Sequence, residues 1–363
     1  MDRRSFLTAT AGAVVATGLG GPGAAHAAAA LDPAALLEQR LATALLHPTA
    51  ETAPASLSAL RRQFAMASAE FASCQYLSLA DRLPVLVTAV EHTTREHGTA
   101  ATAALAAQVY QLTARVLGKL DVSAGLQPIA ADRAARAAEN SGDDLLLAAA
   151  REVVASAARR THHPEQAQRI SLAAVESLLH SGVRTAATWR AAGMLYCGAG
   201  YAAAVRGDQA RSAEFYREAA ATAERIDDEP GRTRLLAHVR SHQISAAHKL
   251  GDAVAALETA RTVPFAALPT TERQARYLVD VAQAWAMFGN PDRAHTALLA
   301  AERLAPGEVR TRGAVRRLMG ELLASPRAAA MPGIRALAAR VHATQGRSAA
   351  VDANAAGGRV TTT

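Results

Sequence analysis

Residues 268–306, LPTTERQARYLVDVAQAWAMFGNPDRAHTALLAAERLAP, decide the fold of this chain of 363 residues. Apolar residues recur in this stretch at intervals of three and four, which is the period of an amphipathic helix. The pattern is interrupted at Gly289-Asn290, a pair typical of one helix ending and the next beginning. The stretch therefore predicts two helices that pack against each other across a short turn.

The same turn signature occurs twice more upstream, at Gly207-Asp208 and Gly251-Asp252. Five positions after each glycine the sequence places a small residue, namely Ser212, Ala256 and Ala294. In the first and last units, a bulky residue follows nine positions after the glycine (Tyr216 and Leu298) and a small one twelve positions after it (Ala219 and Ala301). The last unit also has a proline seventeen positions after its glycine, Pro306. These offsets resemble the tetratricopeptide repeat. Two weaker units are predicted to turn near Leu120-Asp121 and His162-His163-Pro164.

Composition favours helices over strands along the whole chain. Half of the residues are hydrophobic but only 4% are aromatic, and Ala, Leu and Arg dominate. We expect an all-α fold, a tetratricopeptide-like right-handed α-solenoid of antiparallel helix pairs, over residues 31–345. Predicted helices include 57–79, 84–97 and 309–323. Residues 1–30 are predicted to be a disordered signal-like or linker segment, and 346–363 a disordered tail.

The formal charge of +7 is spread along the predicted helices rather than clustered. Arginines generally have acidic neighbours, so we interpret them as solvated helix faces and expect no direct DNA binding. No apolar run is long enough to predict a membrane span. Cys74 and Cys197 lack the spacing of a metal or redox motif and are predicted to be core residues. The position of Cys197 within its repeat also predicts that it lines the concave groove of the solenoid.

The opening stretch supports two interpretations. Asp2-Arg3-Arg4-Ser5-Phe6-Leu7 resembles a twin-arginine export signal, and Ala25-His26-Ala27 resembles a cleavage site before Ala28. This pattern favours an exported scaffold protein that acts outside the cytoplasm.

The alternative comes from a second resemblance, to the tetratricopeptide-type sensor regions of actinobacterial Xre-type helix-turn-helix regulators. It covers residues 57–340 and is carried by Phe71-Ala72-Ser73-Cys74-Gln75-Tyr76, Val109-Tyr110-Gln111-Leu112, Ala130-Ala131-Asp132-Arg133-Ala134 and residues 268–323. In that family an RRxFL segment often joins a DNA-binding domain to the repeats, so the resemblance implies that residues 3–7 are a linker. It implies a stand-alone cytoplasmic sensor module that affects transcription indirectly.

One segment departs from the family. Family members often carry Phe-Gly-Pro-Thr-Asn four residues before a histidine that corresponds to His242, whereas this chain has Arg234-Leu235-Leu236-Ala237-His238 there. The departure indicates a different effector, or none.

The sequence contains no convincing catalytic motif. His238 and His242 share one helix face, but position 239 is Val rather than the Glu of zinc peptidases, and no third ligand is apparent. We expect no enzymatic activity, no cofactor and no metal.

The remaining candidate site is the concave groove that the first helix of each pair would line. Counting back from the turn glycines, and adding His242, predicts these groove-binding residues: Met194, Cys197, Tyr201, His238, Ser241, His242, Ser245, His248, Lys249, Arg276 and Gln283. An apolar stretch beside a basic one suits an amphipathic peptide, a protein segment or a small acidic effector. A homodimer is a further expected partnership, and no membrane partner is expected.

Overall fold

The computed structural model describes residues 33–47, 55–120 and 125–342. Within these residues the chain forms α-helices, two short 3-10 turns and no strand, which confirms the all-α prediction. The segments predicted to be disordered, 1–30 and 346–363, lie outside the described residues.

The helices are α1 (Pro33–Leu46), α2 (Leu57–Ala72), α3 (Tyr76–His97), α4 (Ala100–Lys119), α5 (Leu126–Ser141), α6 (Asp144–Arg160), α7 (Pro164–His180), α8 (Ala186–Val205), α9 (Gln209–Ala223), α10 (Glu229–Lys249), α11 (Ala253–Thr262), α12 (Thr271–Met287), α13 (Pro291–Leu304), α14 (Pro306–Thr311), α15 (Gly313–Ala324) and α16 (Ile334–His342).

Consecutive helices pack in pairs, and the pairs stack into a solenoid. The pairs are α4 with α5, α6 with α7, α8 with α9, α10 with α11, and α12 with α13, and the two helices of each pair are in contact. The first members also contact one another in order, α4 to α6, α6 to α8, α8 to α10 and α10 to α12. These first members form an inner layer, and their partners form an outer layer.

The three predicted turns have the expected geometry. Their glycines, Gly207, Gly251 and Gly289, adopt left-handed φ angles of 78°, 77° and 82°, a conformation that glycine reaches without steric cost. The next residue then caps the following helix, as Asp252 does by accepting a hydrogen bond from the amide of Ala255 at 2.9 Å. The turn chemistry read from the sequence is therefore confirmed.

The small residues after these turns are buried where paired helices approach each other. Ala256 and Ala294 are fully buried, and Ser212 is 3% exposed. Ala219 and Ala301, seven positions further along their helices, are also fully buried. Small side chains at these points allow close packing between the two helices of a unit.

The predicted helices 57–79 and 84–97 are wrong in their boundaries. The first helix ends at Ala72, and α3 begins at Tyr76 and continues through Pro84. A proline inside a helix leaves the carbonyl four residues earlier without its amide donor. Here that carbonyl, of Ala80, accepts a hydrogen bond from the Arg40 guanidinium on α1 at 3.1 Å. A contact from outside the helix therefore supports it across the proline.

The predicted helix 309–323 is also divided. Its backbone becomes extended at Arg312, between α14 and α15. The Arg312 side chain is 8% exposed and binds Glu308. Arginine is therefore not confined to solvated helix faces, as the sequence interpretation held, because this one is buried at the centre of the molecule. No helix in the described part of the chain combines the length and apolarity needed to cross a membrane.

Candidate functional site

The inner layer closes on itself. Helix α2 precedes α4 in this layer, and it also contacts α12, the inner helix of the last full pair. One core cluster accordingly joins α1–α6 with Ala275 on α12 and Ala305 at the start of α14. The inner helices therefore form a closed ring instead of bordering an open groove, and we call the interior of this ring the channel.

Buried charges join the two ends of this ring. Glu308 is fully buried and accepts a hydrogen bond from the Tyr76 hydroxyl at 2.5 Å. The Lys119 ammonium lies 3.2 Å from Glu308 and also pairs with Glu272. Arg312 binds Glu308 from the other side. We call these five residues the closing cluster.

Neighbouring cations keep the two carboxylates of the closing cluster ionised. Burial alone would raise the pKa of Glu308, but Arg312 and Lys119 hold it below its usual value. Burial likewise opposes ionisation of Glu272, yet Lys119 and the neighbouring Arg273 lower its pKa. Two cations thus balance two carboxylates inside the protein. Removing one of them leaves an uncompensated charge in a region of low polarity.

A close backbone approach lies beside the closing cluster. A Cβ atom on Gly307 would stand 2.5 Å from the carbonyl oxygen of Cys74, in the turn between α2 and α3. Only glycine fits α14 against this turn. Burial, with the carboxylate of Glu308 nearby, raises the pKa of the Cys74 thiol to about 12, so the thiol stays protonated.

One end of the channel holds an apolar cavity of about 410 Å³. Its lining comes mainly from the first halves of α6, α8 and α12, together with the end of α2: Phe71, Ala72, Arg115, Leu145, Ala148, Ala149, Glu152, Ala187, Arg190, Ala191, Met194, His238, Pro269, Thr270, Glu272 and Arg273. Aliphatic side chains dominate this surface, and three arginines stand among them. We call it the apolar cavity.

The arginines of the apolar cavity differ in their partners. Arg115 pairs with Glu152 at 3.0 Å, and Arg273 pairs with Glu272 at 3.3 Å. Arg190 has no hydrogen-bond or ion-pair partner among the described residues. The cavity therefore offers one unpaired cation beside an aliphatic surface.

His238 lines this cavity, and His242 stacks on it one turn further along α10. The rings of His238 and His242 are stacked with centroids 4.8 Å apart. Burial, and then the positive charges of Arg273 and Arg115, lowers the pKa of His238 well below its ordinary value. Burial and the neighbouring His238 and Arg273 lower the pKa of His242 in the same way. Both rings are therefore neutral at neutral pH, and Nε2 of His238 is buried without a hydrogen-bond partner in the structure.

A second cavity, of about 190 Å³, lies where the channel meets the last turns of α4, α6 and α10. Polar and charged groups dominate its lining: Gly118, Lys119, Arg160, Tyr201, Ser245, His248, Lys249, Arg276, Asp280, Gln283, Arg312, Gly313, Ala314 and Arg317. We call it the basic cavity. Along α6 it is separated from the apolar cavity by about 12 Å, the rise from Glu152 to Arg160.

The structure brings together most of the predicted groove residues, but divides them between the two cavities. Met194 and His238 line the apolar cavity. Six others line the basic cavity: Tyr201, Ser245, His248, Lys249, Arg276 and Gln283. His242 lies between the two, stacked on His238.

Two predicted groove residues are core residues instead. Cys197 is fully buried and packs with Tyr216 and Val239, and burial raises the pKa of its thiol. Ser241 is 5% exposed and lines neither cavity. Counting from the turn glycine ignores how closely adjacent inner helices pack, and these two positions face that contact.

The sequence reasoning missed the closing cluster and the arginines of the apolar cavity. Glu272 and Glu308 lie in the first turns of α12 and α14, and Lys119 in the last turn of α4. Each resembles an ordinary charge that complements a helix dipole. Nothing in their spacing indicates that residues 153 or 189 positions apart meet.

Among residues 33–47, 55–120 and 125–342, no group of three histidine, cysteine or carboxylate side chains could hold a metal ion. Comparison of the chain with protein-family models, with curated proteins and with solved structures finds no match.

Proposed function

We propose that this protein is a non-enzymatic binding protein that holds a small effector in the apolar cavity. The cavity on the channel axis supports the proposal most directly, because about 410 Å³ lies in the range of roughly 300–1,000 Å³ typical of small-molecule sites. Closure of the ring removes the long open groove that a helical peptide needs. A compact ligand fits this space better than a peptide.

The lining indicates an effector with an apolar body and an acidic group. Leu145, Ala148 and Met194 supply aliphatic contacts, while Arg190 supplies a cation without a protein partner. The unsatisfied Nε2 of His238 offers one hydrogen bond. A buried polar group without a partner costs about 1–3 kcal/mol, which a ligand that bonds to it recovers.

The test uses an amphipathic anion, 8-anilinonaphthalene-1-sulfonate, whose fluorescence rises in apolar sites. We expect the wild-type protein to bind it, and Ala191→Trp, which fills the cavity, to weaken binding at least about tenfold. Ala213→Trp is the matched control, because Ala213 is exposed on the outer helix α9. Equal binding by all three proteins would contradict the proposal.

The resemblance to sensor regions of Xre-type regulators supports a role upstream of transcription. In this proposal effector binding changes how the protein engages a partner protein, and the effect on transcription is indirect. Transcript levels in a host carrying Ala191→Trp, compared with one carrying Ala213→Trp, test this step. Identical transcript profiles in the two hosts would argue against a regulatory role.

We place the protein in the cytoplasm, and a twin-arginine-exported scaffold is the second candidate, favoured by Arg3-Arg4-Ser5-Phe6-Leu7. These residues lie outside the described part of the chain. Fractionation of the host with mass spectrometry of the amino-terminal peptide distinguishes the two. A species starting at Ala28 in the culture fluid supports export, and a cytoplasmic species that keeps Arg3-Arg4 supports the sensor.

A further inference from the structure

The basic cavity concentrates positive charge at one end of the channel. Its lining includes six cationic side chains and one carboxylate: Lys119, Arg160, Lys249, Arg276, Arg312, Arg317 and Asp280. Three of the cations are compensated, since Lys119 and Arg312 pair with Glu308 and Arg276 pairs with Asp280. Cationic side chains in this lining therefore outnumber carboxylates.

Two of the remaining cations have no carboxylate partner among the described residues. Lys249 is exposed and forms no hydrogen bond or ion pair there. Arg160 donates one hydrogen bond, to the backbone carbonyl of Gly118 at 2.8 Å. Both side chains line the same cavity, so their charges act on any ion that enters it.

Two polar atoms at this cavity are buried and unsatisfied. Nε of Arg160 and Nδ1 of His248 have no hydrogen-bond partner in the structure. Burial, followed by the charge of Lys249, lowers the pKa of His248, so its ring is neutral at neutral pH. A neutral imidazole donates a hydrogen bond without adding charge repulsion. An acceptor in the cavity would satisfy both groups.

The start of α15 lies at the same cavity. Gly313 and Ala314 line the cavity, and the cap residue Arg312 makes no side-chain hydrogen bond to the first turn. Free amides at a helix start, with the positive end of the helix dipole, favour an anion. This contribution adds to the cationic side chains and does not replace them.

Helix dipoles explain only part of this arrangement. Lys119, Arg160 and Lys249 lie in the last turns of α4, α6 and α10, where a cation stabilises a helix. If these cations only complemented helix dipoles, we would expect each side chain to be exposed and to lie apart from the others. Helix dipoles explain neither the convergence of arginines from α12 and α15 on one cavity nor the buried unsatisfied Nε of Arg160.

We infer that the basic cavity is a second ligand site, which binds a small multivalent oxyanion of the phosphate type. Guanidinium and ammonium groups with helix amides are the usual donors to such ions. About 190 Å³ accommodates a phosphate or diphosphate group, and any attached organic part would extend out of the channel. The inference is independent of the effector proposed for the apolar cavity, because the two cavities use different residues.

Isothermal titration calorimetry with inorganic pyrophosphate and the full chain tests this inference. We expect one site per chain and a loss of affinity of about tenfold or more in Lys249→Glu, since a charged hydrogen bond is replaced by repulsion. Lys249 is exposed, so this variant keeps the fold, which circular dichroism verifies.

Arg261→Glu is the matched control. Arg261 is an exposed cation in the last turn of the outer helix α11, and its reversal changes net charge and dipole complementarity as Lys249→Glu does. We expect unchanged pyrophosphate affinity in Arg261→Glu. Absence of binding to the wild type, equal binding by Lys249→Glu, or an equal loss in both variants would each overturn the inference.

The source of the oxyanion is identified by comparing pyrophosphate with a nucleoside diphosphate. Affinity for the nucleotide more than about tenfold above that for pyrophosphate supports a phosphorylated metabolite, because the organic part then adds contacts. Equal affinities support the free inorganic ion. Loss of both in Lys249→Glu is expected in either case, and retention of both would contradict the site.

Discussion

At the residue scale, the charge state of a group depends on partners that arrive from distant parts of the chain. The sequence places His238 and His242 on one helix face, where two metal ligands could lie, but it offers no third ligand. In the structure, burial and the charge of Arg273 from α12 lower the pKa of both rings and keep them neutral, and Arg115 from α4 adds to this effect at His238. Local spacing predicts the shared face, but it contains no information about the surrounding arginines.

The neutral rings predict a pH dependence of stability. Because the folded pKa of His238 lies below the ordinary 6.5, the unfolded chain takes up the proton first as the pH falls. The contribution of His238 is therefore complete above about pH 6.5 and declines below it. His238→Gln should reduce the slope of unfolding free energy against pH by up to about 1.4 kcal/mol per pH unit.

Urea denaturation between about pH 5 and 6.5 measures this slope. His97→Gln is the control variant, because His97 is exposed in the last turn of α3. An unaltered slope in His238→Gln would show that folding does not lower the pKa of His238.

The closing cluster leads to a second prediction at this scale. Lys119→Met leaves Glu272 and Glu308 close together with one compensating charge fewer, and should cost about 3–5 kcal/mol of stability. Arg95→Met breaks an exposed pair with Glu91 on α3 and should cost below about 1 kcal/mol. Urea denaturation of both variants compares the costs. Similar costs would mean that the closing cluster contributes no more than a surface ion pair.

At the element scale, local turn chemistry could be predicted and long-range support could not. The glycine turns and their caps follow from single residues, and the structure has them where the sequence indicates. The continuation of α3 through Pro84 is supported by Arg40 from α1, which no local pattern contains. The same limit applies at Arg312, where the helix is interrupted and the side chain binds Glu308.

Gly307 supplies a prediction about how α14 is seated. In an isolated helix Gly→Ala stabilises by about 0.5–1 kcal/mol, but at Gly307 the new Cβ would stand 2.5 Å from the Cys74 carbonyl. Gly307→Ala should therefore destabilise the protein by about 1–3 kcal/mol. Gly320→Ala on α15 meets no atom within 4 Å and should be neutral or stabilising. Thermal unfolding of the two variants gives the sign, and a stabilising Gly307→Ala would refute the close approach.

At the scale of the whole molecule, the sequence predicts stacked helix pairs but not the ring that they form. An open solenoid has contacts between neighbouring pairs only. Here a small rotation at each step brings α2 back to α12, and the groove becomes two cavities. The helix spacing in the sequence gives no information about that accumulated rotation. The candidate residues could therefore be predicted as a group, but their division between the two cavities could not.

Closure of the helix ring also predicts which helices unfold locally together. Glu308→Gln weakens the contacts to Tyr76 and Lys119, so hydrogen exchange should accelerate in α3 and α4 as well as in α14. Glu302→Gln is the matched control: it removes the pairs of Glu302 with Arg340 and Arg310, so its effect should stay within α13–α16. Helices α8 and α9, on the far side of the ring, should be unchanged in both variants. Mass-spectrometric exchange measures each segment. If exchange in Glu308→Gln accelerates only in the carboxy-terminal helices, the two ends of the ring touch without stabilising each other. Acceleration in α3 and α4 as well requires that the two ends of the ring unfold as one unit.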